Sequence, residues 1–186
     1  IGAQFDAAVD KWGDRDALIV REQDVHWTWS NLKQWVDDFA AGLIDLGLQP
    51  GDRIGIWSPN NSEWAITQFA TAKAGLILVN INPAYRVAEL EYALNKVGCV
   101  ALVTAAAFKT SDYLGMIREL APELDGAAPG ELNAVKLPHL HHVVLIGGDE
   151  APGTYAFSDI LARGKAAGHT AVEALAPSLQ FDDPIN

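Results

Sequence analysis

The amino-acid sequence predicts an α/β fold, a largely parallel sheet with helices on both faces. Stretches with helical and with strand-like apolar periodicity alternate along the chain and are separated by glycine or proline. Two of the strand-like stretches, Leu76–Val79 and Cys99–Val103, are unbroken apolar runs, which is typical of strands covered on both faces. The strand–helix–strand order then requires crossover connections, which are right-handed in such sheets.

The first part of the chain predicts one helix and one hairpin. The opening helix has three apolar side chains on one face, those of Phe5, Val9 and Trp12. Gly13 ends this helix. Ala17–Val20 and Val25–Thr28 lie on either side of the polar segment Arg21–Asp24, and this arrangement predicts a β-hairpin.

The clearest helical pattern follows, with Ser30 as its predicted N-cap. Apolar residues recur at helical spacing: Leu32, Trp35, Val36, Phe39, Leu43 and Leu46. Gly47 has the position of a left-handed C-terminal cap. Pro50–Asp52 then predicts a turn into a strand over Arg53–Trp57.

A second strand–helix unit begins after that strand. Asn60, with Glu63 three residues later, predicts a capping box at the start of a helix, and Gly75 ends the helix. The apolar run Leu76–Val79 is the next predicted strand.

The pattern continues with a helix over Val87–Val97 that Gly98 closes. Cys99–Val103 is the next buried strand. A helix is predicted over Phe108–Leu120, and Pro122 stops it because proline cannot continue a helix.

The last third of the chain is predicted to be looser. It contains a connection rich in glycine and proline over Gly126–Pro138, one strand over Val143–Ile146 and one or two short helices before Pro177. Gly147–Glu150 favours a plain turn over an anion cradle. We therefore expect one subdomain over residues 1–186, with a regular α/β core over 1–121 and a looser extension over 122–186.

Composition favours an intracellular globular protein. Hydrophobic residues make up 49% of the chain and the formal net charge is −11, which argues against nucleic-acid or anionic-membrane surfaces. No apolar run is long enough for a transmembrane segment. The single cysteine fits a reducing compartment, and a cytoplasmic location is expected. Because the sequence opens at Ile1 without a methionine, we expect a trimmed or partial product.

A motif search predicts no catalytic residue and no metal ligand. The sequence lacks a phosphate loop, a dinucleotide fingerprint, a nucleophile elbow and zinc-type spacing. His139, His141 and His142 are interpreted as the polar lip of a loop rather than as metal ligands. Cys99 is interpreted as a core thiol rather than as a nucleophile.

The candidate ligand-contacting residues lie where predicted strands end. In open parallel sheets, ligands approach the carboxyl ends of the strands. Trp57 and Trp64 lie close to the end of one strand, and Asn82, Tyr85 and Arg86 follow another. These five are the candidates for a channel wall. The alternative is structural: the tryptophans pack in the core, Asn82 makes a turn and Arg86 is solvated.

The order of several segments resembles the opening of the AMP-forming acyl-CoA synthetases, members of the adenylate-forming ligase superfamily. The segments that carry the resemblance are Ala17–Val20, Thr28–Leu32, Gly47–Ile54, Ala74–Pro83, Ala84–Tyr92, Lys96–Cys99, Phe108–Thr110 and Asp183–Asn186. Among these enzymes the chain is most similar to medium-chain fatty-acid–CoA ligases, and the similarity is weakest between Gly147 and Leu179.

The resemblance implies an enzyme that joins a fatty acid to CoA through an acyl-adenylate, with ATP and Mg²⁺ as cofactors. In this family the phosphate loop begins a few residues after the equivalent of Asp183–Asn186, so no family catalytic residue is carried onto this chain. We expect an inactive N-terminal subdomain that binds no cofactor itself and forms part of the acyl and CoA channel wall. A subdomain without its neighbour is expected to expose apolar surface, which predicts self-association.

Two alternatives stay open at this stage. The chain is either part of such a ligase or a free-standing α/β module that binds a ligand or partner without chemistry. Within the enzyme class, a relative that adenylates an aryl acid or an amino acid is the second possibility.

Overall fold

The computed structural model describes residues 1–147 and 150–186 of the chain. Helices and strands alternate through most of this described part. The helices are α1 (Gly2–Trp12), α2 (Trp29–Asp45), α3 (Ser62–Lys73), α4 (Val87–Val97), α5 (Tyr113–Leu120), α6 (Phe157–Ala167) and α7 (Thr170–Leu175). The strands are β1 (Asp16–Val20), β2 (Val25–Thr28), β3 (Arg53–Trp57), β4 (Ile77–Asn80), β5 (Cys99–Ala105), β6 (Ala107–Phe108), β7 (Ser111–Asp112), β8 (His142–Ile146) and β9 (Tyr155–Ala156).

The main sheet has five strands in the order β4-β3-β5-β8-β9. Strand β5 pairs in parallel with β3 and with β8, and β8 pairs in parallel with β9. Successive side chains of a strand point to opposite faces. Both Val103 and its neighbour Leu102 are fully buried, and so are Ile56 and its neighbour Trp57. Both faces of the sheet are therefore covered, and the predicted α/β class is confirmed.

The chain divides into two compact units. The first comprises Ile1–Gly51, Asn60–Ile77 and Ile160–Ile185, and the second comprises Asp52–Pro59, Leu78–Asp159 and Asn186. The expectation of one subdomain, with a regular core up to residue 121, stays a prediction.

In the first unit, aromatic and apolar side chains join the early helices. The ring of Phe5 on α1 lies 4.6 Å from that of Phe69 on α3 and 5.8 Å from that of Trp29.

The predicted hairpin is confirmed, because β1 and β2 pair antiparallel with Val20 opposite Val25.

An ionic cluster of four side chains, Asp6, Lys33, Asp37 and Lys73, connects the three early helices of the first unit. Lys73 Nζ donates to Asp6 Oδ1 at 2.8 Å and to Asp37 Oδ1. Lys33 Nζ donates to the same Asp6 oxygen at 2.8 Å and to Asp37 Oδ2. The two lysines and two aspartates balance in charge, so that burial leaves no unpaired ion.

Helices α2 and α6 come into direct backbone contact in the first unit. A Cβ atom on Gly42 would lie 2.1 Å from the Ile160 carbonyl oxygen, and one on Gly164 would lie 1.7 Å from the Asp38 carbonyl oxygen. Only glycine fits at these two positions.

Two predicted helix caps are wrong by one or two residues. The N-cap of α2 is Thr28 and not Ser30, because Thr28 and Asn31 form a reciprocal capping box with both hydrogen bonds at 3.2 Å. The N-cap of α3 is Asn61 and not Asn60, since Asn61 Oδ1 accepts the Trp64 amide at 2.8 Å. The left-handed glycines Gly47, Gly75 and Gly98 do occur at or just after the helix ends, as predicted.

The predicted helix over Phe108–Leu120 begins five residues too early. Ala107–Phe108 and Ser111–Asp112 form a small antiparallel hairpin instead. Lys109 in its turn has a φ of 53°, a left-handed conformation that a continuing helix excludes. Asp112 then caps α5 by accepting the Gly115 amide at 2.8 Å.

In the second unit, the segment between α5 and β8 has little regular structure, but it is anchored in the core. Its leucines are at most 1% exposed: Leu124, Leu132, Leu137 and Leu140. They pack in one apolar cluster with Trp57, Leu102 and Tyr113. The short strand β9 and its place at the sheet edge were not predicted. Of the predicted turn over Gly147–Glu150, Gly148 and Asp149 lie outside the described residues.

Cys99 has the core position expected of it, whereas His142 lies in strand β8 and not in the loop before it. Cys99 is 1% exposed, and burial raises its thiol pKa to about 12, which makes it a core thiol. His141 Nδ1 lies 3.1 Å from the Leu132 carbonyl oxygen. Within residues 1–147 and 150–186, no group of three metal-capable side chains could hold a metal ion.

Candidate functional site

The candidate site is the β4–α4 loop, residues 81–86, together with the aromatic side chains beneath it in the second unit. The loop leaves the sheet at the carboxyl end of β4, beside the carboxyl end of β3. The Ile81 amide donates to the Ile56 carbonyl at 3.0 Å, which fixes the start of the loop against β3. The loop therefore lies at the edge where open parallel sheets bind their ligands.

A stacked pair of aromatic rings supports this loop. The ring centroids of Trp57 and Tyr113 are 3.8 Å apart with an interplanar angle of 15°, and both residues are fully buried. Trp57 Nε1 donates to the Asn82 carbonyl at 3.1 Å, and the Tyr113 hydroxyl donates to the Pro83 carbonyl at 2.7 Å. Two adjacent loop carbonyls are thus held by two adjacent rings.

Asn82 shapes the rest of the loop. Its carbonyl also accepts the Tyr85 amide at 3.0 Å, and its side-chain Oδ1 accepts the Ala84 amide at 2.9 Å. This is an Asx turn, in which the asparagine side chain replaces a backbone acceptor. The predicted turn role of Asn82 is present, and its side chain is also exposed at the sheet edge.

Arg86 ends the loop as the residue before α4. Its amide donates to Glu89 Oε2 at 3.1 Å, and its Nη1 donates to Ser111 Oγ at 3.1 Å. The guanidinium is exposed, so its positive charge is accessible to solvent at the end of the loop. Tyr85 is half-buried and packs against the apolar cluster of the second unit.

Trp64 belongs to the first unit and is half-buried. It lines an open groove of about 470 Å³ with Leu18, Ile19, Val20, Glu22, Asn60, Asn61 and Ala65. The structure thus brings four of the five candidates, Trp57, Asn82, Tyr85 and Arg86, together in one unit. The channel roles of all five stay predictions.

Sequence reasoning missed two members of the site, Tyr113 and Ser111. Both lie inside the helix predicted over Phe108–Leu120, where a tyrosine and a serine carry no special signal. Burial raises the pKa of the Tyr113 hydroxyl above its ordinary value, and the positive charge of Arg86 opposes this rise. The hydroxyl is therefore a neutral hydrogen-bond donor at physiological pH.

The side chains of the site can hold polar or anionic groups. An amide, a guanidinium and buried aromatic rings offer hydrogen bonds and shape. No metal-capable group of three side chains occurs in the part of the chain that the structure describes. Among the same residues, no helix is long and apolar enough to cross a membrane.

Comparison with known proteins assigns the chain to a family. A sequence model of the family described as "AMP-binding enzyme" matches residues 5–162. The chain belongs to the AMP-binding enzyme family. The resemblance found in the sequence is confirmed, and both the β4–α4 loop and the stacked pair lie within the matched part of the chain.

The relatives of this chain include acyl-CoA ligases. The chain is 41% identical over 97% of its length to a protein named medium-chain acyl-CoA ligase ACSF2, mitochondrial, from Danio rerio, and 41% identical over its whole length to the Homo sapiens protein of the same name. It spans 30% of the length of each of these two relatives. Its fold matches that of acetoacetyl-CoA synthetase from Streptomyces lividans, with a TM-score of 0.71 and 24% identity over 87% of this chain and 24% of the other.

Proposed function

We propose that this chain is the N-terminal part of a medium-chain fatty-acid–CoA ligase. The observation that carries the proposal is the 41% identity to medium-chain acyl-CoA ligases over nearly the whole chain. The complete enzyme would convert a carboxylate, ATP and CoA into acyl-CoA, AMP and pyrophosphate, through an acyl-adenylate. Its substrates would be a fatty acid, ATP and CoA.

In this proposal the chain supplies scaffold and part of the channel wall rather than catalytic groups. The β4–α4 loop would present Asn82 and Arg86 to a substrate, with Tyr85 and Trp57 beneath them, and Trp64 would contribute from its own groove. Two observations favour this division of roles. The guanidinium of Arg86 is exposed and can contact a substrate, whereas the hydrogen-bonded rings are buried and can only hold the loop. Parts of the ligase outside these 186 residues would bind the nucleotide and Mg²⁺ and would contain the catalytic residues.

The proposed compartment is the cytoplasm, with a mitochondrial location as the alternative suggested by the names of the relatives. Both compartments keep a single buried thiol reduced. Exposed apolar residues support the further proposal of self-association when the chain is isolated, since Val135 is 85% and Phe181 98% exposed.

The experiment that tests the proposal is an assay of the full-length gene product with a panel of carboxylic acids. AMP and acyl-CoA release should require ATP, Mg²⁺ and CoA together, and should be greatest with medium-chain acids. A preference for aryl or amino acids would favour the other adenylating enzymes, and the absence of thioester with every acid would contradict a ligase. The 186-residue chain alone should form no thioester, while specific ligand binding by it would favour a free-standing binding module.

A further inference from the structure

The β4–α4 loop is held from below by an arrangement that apolar packing alone does not require. A buried tryptophan and tyrosine can stack without any hydrogen bond to the loop. Here the Trp57 Nε1 and the Tyr113 hydroxyl each reach a different loop carbonyl, those of Asn82 and Pro83. Because the rings are stacked 3.8 Å apart, the position of one donor constrains the other.

We propose that Trp57 and Tyr113 are a pair of positioning residues that hold the β4–α4 loop in one conformation through the carbonyls of Asn82 and Pro83. The pair thereby fixes where the loop presents the side chains of Asn82 and Arg86 to a substrate, a step that rests on the proposed ligase function. Trp57 acts through the loop and does not itself contact the ligand, since it is fully buried.

The hydrogen bonds within the loop explain why two donors are enough. The Ala84 and Tyr85 amides both donate to Asn82, one to its side chain and one to its carbonyl. Fixing the Asn82 carbonyl therefore fixes the acceptor of the Tyr85 amide directly, and it restrains the residue whose side chain accepts the Ala84 amide. The second donor, the Tyr113 hydroxyl, holds the Pro83 carbonyl and prevents the peptide from rotating about the first contact. At the far end, the Arg86 guanidinium is held separately by Ser111.

Two conservative variants separate the donors from the packing. Tyr113→Phe removes one hydroxyl and keeps the ring, and Trp57→Phe removes the indole N–H and keeps an aromatic ring for stacking. Tyr92→Phe is the matched control, because it makes the same chemical change on α4 at a residue that is 67% exposed.

The readout is amide hydrogen exchange of the 186-residue chain. A lost hydrogen bond of ordinary strength should speed exchange at the Ala84 and Tyr85 amides about fivefold in either variant and more in the double variant. Amides in β3 and β5 should keep their wild-type rates, and Tyr92→Phe should change nothing. Unchanged exchange in the loop would overturn the proposal, and so would an equal acceleration throughout the sheet, which indicates general loss of packing. If Trp57→Phe does not fold, the Tyr113→Phe result decides alone.

A second measurement addresses presentation to the substrate. In the full-length ligase, Tyr113→Phe should raise the KM of the acid or of CoA about fivefold with little change in kcat, since a misplaced loop weakens binding. An unchanged KM for both substrates would overturn the presenting role. A full-length protein that is inactive with every acid would contradict the proposed function, and hydrogen exchange would still decide whether the pair positions the loop.

Discussion

At the scale of single residues, the ionic cluster is a feature that the amino-acid composition alone does not reveal. Lys73 is 8% exposed and Asp37 is 10% exposed in their side chains, so their charges depend on each other. Although burial opposes its ionisation, Asp6 has a lowered pKa because Lys33 and Lys73 donate hydrogen bonds to it. Burial likewise opposes the charge of Lys33, but Asp37 and Asp6 raise its pKa above the ordinary value.

These shifts predict how stability depends on pH. The lowered pKa of Asp6 contributes stability that is present above the ordinary value of 3.8 and is lost as the pH falls through the folded-state pKa. The raised pKa of Lys33 contributes stability that is present below 10.5 and is lost as the pH rises through the folded-state pKa. Asp6→Asn should therefore lower the free energy of unfolding near neutral pH and flatten its decline in acid. Urea unfolding at pH values from 7 down to 3 measures both effects.

Asp10→Asn is the matched control for that prediction, because Asp10 lies one turn further along α1 and is exposed. It should leave the unfolding free energy nearly unchanged and keep the wild-type acid profile. A parallel loss of acid sensitivity in both variants would indicate a general effect of net charge rather than the cluster.

At the scale of elements, the two glycines where α2 and α6 cross are unfavourable for helix formation but are required by the close contact of the backbones. Replacing glycine by alanine within a helix is worth about 1 kcal/mol in propensity. At Gly42 and Gly164 the added Cβ would overlap a backbone carbonyl of the other helix, and overpacking costs roughly 1–3 kcal/mol. We expect Gly42→Ala and Gly164→Ala each to lower the free energy of unfolding in urea.

Gly126→Ala provides the comparison for this pair, because no atom lies within 4 Å of the Cβ it would add. Its unfolding free energy should stay within about 0.5 kcal/mol of the wild type. Stabilisation by Gly42→Ala or Gly164→Ala would mean that the two helices separate at little cost.

The same scale explains which elements the sequence could predict. Arg53–Trp57 and Val87–Val97 have the bounds predicted for them, because each has one strong period and a glycine or a turn at its end. The hairpin over residues 107–112 could not be predicted, since Phe108 continues the apolar spacing of α5. The positive φ of Lys109 and the extended backbone of Asp112 exclude a helix there.

The sequence predicts where the β4–α4 loop lies along the chain, but it does not predict which side chains hold the loop. The end of β4 identifies the loop, because strand order and apolar runs are local signals. The partner of Pro83 is Tyr113, 30 residues further along the chain, and no local pattern indicates that contact. Likewise, the sequence places Trp57 at a strand end but does not indicate that it is buried beneath the loop.

At the scale of the whole molecule, the chain combines a family fold with a loop held at the edge of its sheet. Residues 5–162 match the AMP-binding family, and the stacked pair gives the sheet edge a defined loop. Yet the part of the chain that the structure describes has no group of side chains suited to a metal ion. We expect positioning and chemistry to belong to different parts of the proposed ligase.

This division predicts that Mg-ATP will not raise the melting temperature of the 186-residue chain. A ligand that binds only the folded state at a concentration 100 times its Kd adds about 2.7 kcal/mol of stability, which for a chain of this size is a shift of roughly 5–10 °C. No group of three metal-capable side chains occurs in residues 1–147 and 150–186. We expect no such shift, whereas the full-length protein should show one with Mg-ATP. Differential scanning fluorimetry over a series of Mg-ATP concentrations makes the measurement, with EDTA-treated ATP as the control. A concentration-dependent rise in the 186-residue chain would contradict the division, and would place nucleotide contacts among residues such as Arg86, whose variant Arg86→Gln should then abolish the rise.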